Sequence, residues 1–88
     1  MKWWVRVQGQ NFVIRNGAQA DAADFSITRT VWALNPAQAS VIAVKGALRQ
    51  LHAESHGPLD VSVRRARLLE SCRPHCELHW RRDSEKIF

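Results

Sequence analysis

The chain has 88 residues and a mass of 10.1 kDa, with 45% hydrophobic and 24% charged residues, four glycines, three prolines and a formal charge of +5. That length leaves room for one small domain and excludes a multidomain enzyme or a repeat array, while the composition excludes a disordered tail. A domain of this size hides only about 60 to 65% of its unfolded surface, so packing against a second copy would help it.

The first residues alternate. Trp3, Val5 and Val7 fall on one face and Lys2, Trp4, Arg6 and Gln8 on the other, the pattern of a half-buried strand. Gly9 and Gln10 interrupt it, and Phe12 to Arg15 resume an extended pattern that stops at Asn16 and Gly17, a pair suited to a tight turn. Two short strands, arranged as a hairpin, fit this stretch. Residues 18 to 23 are small or polar and read as a loop.

Alternation returns over residues 24 to 34. Phe25, Ile27, Val31 and Ala33 share a face with Arg29, while Ser26, Thr28, Thr30 and Trp32 share the other. Its β-branched and aromatic content marks a strand. Arg29 is out of place on an apolar face, so it should reach past the core or pair with Asp24 or Glu70. Asn35 and Pro36 then open a helix, as N-cap and first helical residue. Val41, Val44, Leu48 and Leu51 form its apolar stripe, opposite Gln38, Lys45, Arg49 and His52. Gly57 and Pro58 end it, which places the helix terminus between residues 53 and 56. Leu59, Val61 and Val63 alternate with Asp60, Ser62 and Arg64 as a further strand. The stretch from Arg64 to Glu70 fits a continuing strand better than a short helix.

The expected fold is therefore α+β, an antiparallel sheet of three to four strands with one amphipathic helix packed on one face, in the order β-β-β-α-β. Residues 1 to 73 form the single domain and residues 74 to 88 a C-terminal tail. The spacing Trp-x-Val-x-Val-x-Gly-x-Asn-Phe ending at Phe12, and Phe-x-x-Thr-Arg-x-Val-x-Ala from Phe25 to Ala33, resembles a group of small bacterial proteins without an assigned function. The resemblance implies the fold and no activity.

Three surfaces have the chemistry to act. Trp4 and Trp32 lie on the polar sides of their strands beside Arg6, Thr28 and Thr30. Outward aromatics next to Arg suit a homodimer or protein interface, and equally a platform on which single-stranded nucleic acid stacks. A plainer expectation is that Leu78 and Trp80 of the tail fold over both tryptophans. Lys45, Arg49, Arg64, Arg65 and Arg67 make the most basic region and would bind oxyanions or nucleic acid if they cluster; the plainer reading is a solvated surface. Cys72, His75, Cys76 and His79 are competent zinc ligands, yet in a helix the outer pair would stand about 10 Å apart, so an incidental cluster is preferred over a metal site.

Catalysis has little support, because the chain has no Tyr, no suggestively paired carboxylates, no nucleophile elbow and no Gly-rich phosphate loop. Arg6 breaks the apolar stretch that an export signal needs, and no run is long and apolar enough for a bilayer. The expectation is a cytoplasmic, non-catalytic interaction domain, without cofactor or membrane contact. It self-associates or takes a protein partner through the outer sheet face. Nucleic-acid binding through Trp4, Trp32 and the arginines is the alternative, and zinc at the Cys/His cluster the second.

Overall fold

Alternating apolar residues build two long strands that pair along their whole length, β1 (Lys2–Asn16) and β2 (Gln19–Trp32), joined by a tight turn at Gly17 and Ala18. The helix α1 (Pro36–Leu51) follows, then β3 (Ala53–Ser55), β4 (Leu59–Arg65) and β5 (His75–Trp80). The computed structural model describes residues 1–55, 57–67, 69–70 and 75–80. All strand pairs are antiparallel. β1 takes β2 on one side and both β3 and β4 on the other, and β5 closes on the far side of β2. The class is the expected one, an antiparallel sheet with a helix on one face. It contains five strands, in the order β-β-α-β-β-β.

The two unexpected strands are β3 and β5. Instead of two short strands, β1 is continuous, with a bulge between Gly9 and Phe12 where three steps along β1 match two along β2. Asn11 takes a left-handed conformation (φ 56°), which Asn tolerates better than most residues. Before the bulge odd residues face inward (Trp3, Val5, Val7), and after it even ones do (Phe12, Ile14). β2 needs no such correction, since Ala23, Phe25, Ile27 and Val31 are all buried. The bulge also satisfies its own polar groups: the Asn11 N–H donates to Asp24 Oδ1 at 3.0 Å, and the Gln10 N–H to the Pro58 carbonyl at 3.0 Å. Residues 19 to 23, expected as loop, are drawn into β2 because the hairpin pairs their backbone whatever their side chains are, and Ala23 joins the core.

The helix begins as its sequence requires. Asn35 Oδ1 accepts from the Gln38 N–H at 2.8 Å and Gln38 Oε1 accepts from the Leu34 N–H at 2.7 Å, a reciprocal cap with Pro36 in the first turn. Its buried ridge is not the expected stripe. Ala39, Ala43, Ala47 and Leu51 face the sheet; Val44 and Leu48 flank them half-buried, and Val41 is 52% exposed. Residues four apart stack on one helix face, and a ridge of alanines lets the backbone approach the sheet closely. The helix ends earlier than expected, at Leu51, because His52 turns left-handed (φ 54°) and residues 53 to 55 leave to pair with β1.

The core lies between α1 and the face of the sheet carried by β1, β2 and β4. Phe12 and Phe25 meet edge to face with centroids 5.0 Å apart, and Gly9 leaves room for them. A Cβ on Gly9 would stand 2.3 Å from Phe25 Cε1 and 2.7 Å from Phe12 Cε1. Gly9→Ala should therefore lower stability by about 1 to 3 kcal/mol in urea unfolding. A loss below roughly 0.5 kcal/mol, typical of neutral surface changes, would contradict the tight packing of these rings.

Candidate functional site

The helix covers one face of the sheet, and among the described residues no helix or strand packs over the other. Strand register fixes what that outer face presents. Trp4 lies between Arg64 of β4 and Thr30 of β2; Arg6 lies between Ser62 and Thr28, which is followed by His75 of β5; Gln8 lies between Asp60 and Ser26, followed by Glu77. The expected contact residues Trp4, Arg6, Thr28 and Thr30 thus form one continuous patch, and Trp32 stands at its end, opposite Lys2. Between Lys2 and the bulge the charged strand residues separate by sign, with Lys2, Arg6 and Arg64 toward the Trp32 end and Asp60, Glu77 and Asp24 toward the other; outside that stretch, Glu70 pairs with Arg64 and Arg15 pairs with Glu54.

Trp4 is half-buried because cations cover it. The Arg64 guanidinium carbon lies 4.6 Å from the ring centroid and that of Arg6 5.4 Å, within the range of cation–π attraction. Arg64 is itself held: Nη1 and Nη2 donate to the two oxygens of Glu70 at 3.1 and 2.7 Å. The Arg67 N–H donates to Glu70 Oε1 at 3.1 Å, and Lys2 Nζ donates to the Glu70 carbonyl. Hydrogen bonding from Arg64, then from the Arg67 backbone, holds the Glu70 carboxyl below the ordinary carboxylate range, and Glu70 in turn raises Arg64. Trp32 has no such cover. It is 70% exposed, next to Leu34 at 77% and Met1 at 58%. Leu78 and Trp80 do not lie over the tryptophans. They oppose Phe25 and Ala23 in register and so belong to the helix side of the sheet.

The basic residues do not form one cluster. Arg64 is on the outer face; Arg65, opposite Trp3, lines a shallow hollow with Met1, Lys2 and Trp32; Arg67 lies just past β4. Lys45 and Arg49 lie on the helix, where they meet a residue that the basic-region reading left out, Arg29. Arg29 reaches past the core across Gly46, pairing with neither expected carboxylate: Asp24 accepts from Asn11, and Glu70 holds Arg64. The signal was present in a charge on the apolar face of β2 and a glycine inside a helix.

Of the Cys/His cluster, Cys72 lies outside the described residues. The others sit on a strand and not a helix, so Cys76 faces the helix side opposite Ile27, while His75 and His79 face outward opposite Thr28 and Asp24. Burial, then the neighbouring Glu77, pushes the Cys76 thiol up. His75 Nε2 lies 3.1 Å from Glu77 Oε1. Among the described residues no three metal-binding side chains come together, and no helix is long and apolar enough to cross a membrane.

No protein-family model matches this chain, and no curated protein or solved structure is significantly similar to it.

The Glu70 pairing makes a pH prediction. A carboxylate whose folded pKa is lowered stabilises the fold above its unfolded value, about 4.3, and that contribution disappears as pH falls through the folded value. Wild type should therefore unfold at higher denaturant than Glu70→Gln at neutral pH. The gap should close as the pH is taken well below 4.3, the unfolded-state value for Glu. A gap unchanged down to the most acidic conditions would show that the carboxylate charge contributes nothing.

Proposed function

We propose that this chain is a non-catalytic interaction domain that pairs with a second copy of itself through the outer sheet face. The observation that carries the reading is the segregation of charge along that uncovered face. Two copies related by a two-fold axis across the strands would set Lys2 and Arg6 of one against Asp60 and Glu77 of the other. A closed dimer needs this self-complementarity. The exposed Trp32, Leu34 and Met1 would supply apolar contact area at the rim of that patch, and aromatic and Arg side chains are enriched at such interfaces. Trp4 supports protein pairing over base stacking, because Arg64 already occupies its ring and is anchored by Glu70.

Sedimentation equilibrium at micromolar concentration should find a dimer for wild type and a monomer for Trp32→Ser, with unchanged circular dichroism. A monomeric wild type rejects the reading. Titration with labelled single-stranded RNA and DNA at two salt concentrations separates it from the nucleic-acid alternative: binding that requires Trp4 and weakens steeply with salt would replace self-association as the function.

A further inference from the structure

On the opposite side of the sheet, independent of the dimer face, we propose that the cleft between α1 and the Arg29–Val31 edge of β2 binds a phosphate group. The cleft has a volume of about 440 Å³ and carries three cations, Arg29, Lys45 and Arg49, with Thr30 and Ile42 beside them and no carboxylate in its lining. β5 pairs with β2 only as far as Thr28, so the strand edge at the cleft has no partner among the described residues.

The cations are not scattered surface charges. Arg29 springs from the apolar side of β2, between buried Ile27 and Val31, and is itself half-buried. Its guanidinium crosses the helix at Gly46, where a Cβ would come within 1.9 Å of Nη1. Glycine is unfavourable inside a helix, and here its missing Cβ leaves the space that the Arg29 guanidinium occupies. Lys45 and Arg49, four residues apart on α1, repel each other, and Arg29 adds a third positive charge. Among the described residues none of the three forms an ion pair. An oxyanion relieves that repulsion, and two guanidinium forks with an ammonium in one cleft offer donors for the several acceptor oxygens of a phosphate. The volume falls within the range of small-ligand sites.

Calorimetric titration should be run on wild type with inorganic phosphate, a nucleoside monophosphate and a short single-stranded oligonucleotide, at matched ionic strength. Binding of the first two places the ligand among small phosphorylated molecules, whereas binding of the oligonucleotide alone assigns the site to a phosphodiester backbone. Arg29→Met, which keeps the packed stem without the charge, should weaken whichever probe binds by roughly tenfold, the loss expected for one charged hydrogen-bonding partner. Arg49→Met should act in the same direction, and being exposed it serves if Arg29→Met fails to fold. Arg65→Met, equal in charge change and outside the cleft, should leave affinity unchanged. No binding by any probe overturns the proposal, as does an equal loss in Arg65→Met and the cleft variants. Repeating the titration on Trp32→Ser keeps the outcome separate from that of self-association.

Discussion

Parity governs this molecule. A strand sends successive side chains to opposite faces, and β1, at roughly 3.3 Å per residue, is the longest element of the fold. A uniform strand would carry Val7 and Ile14 to opposite faces. The bulge at Gln10 and Asn11 inserts one residue, so that Phe12 and Ile14 rejoin Val7 on the helix side. Everything inward depends on that reset: the Phe12–Phe25 contact, the room at Gly9, and the meeting of Leu51 with the far end of β1.

One helix cannot cover both sides of a sheet, and the two sides use arginine differently. Outside, Arg64 is closed off by a carboxylate and an aromatic ring, so its charge serves local order. Inside, Arg29 travels along apolar surface and emerges beside two more cations, with no carboxylate among the described residues of the cleft lining. The same side chain is a brace in one setting and an open charge in the other. What separates the two cases is the presence of Glu70 beside one and Gly46 beside the other.

Much of this was legible in the residue order. The inner and outer faces of β1 and β2 follow from alternation, and the helix start from Asn35 and Pro36, because each signal is local. What could not be read depended on distance. A bulge and a chain break look alike when Gly9 and Gln10 interrupt a pattern, and only the register of β2 distinguishes them. The alanine ridge was hidden because hydrophobic size ranks Val41 above Ala43, whereas close approach to a sheet rewards the smaller residue. The strand at His75–Trp80 does alternate, with Cys76, Leu78 and Trp80 on one face and His75, Glu77 and His79 on the other, but the cysteines and histidines drew attention to metal-ligand spacing and a helical arrangement instead. For the outer patch, the residues were identifiable and their charge polarity was not, since Asp60 and Glu77 join it from strands distant in sequence. Arg29 was conspicuous on its strand, but its neighbours on the helix were not.

The central position of β1 bears on how the chain is made. Made before β2 and β4, it can pair with β2 through a two-residue turn, but its other edge waits for β4, where Trp3 meets Arg65. Non-local pairing of this kind slows folding, and an unpaired edge flanked by Trp3, Val5 and Val7 is a template for the wrong strand. The helix emerges in the interval and can lay its alanine ridge on the apolar side of the waiting hairpin. The interval before β4 appears is when that edge of β1 stands open to mispairing.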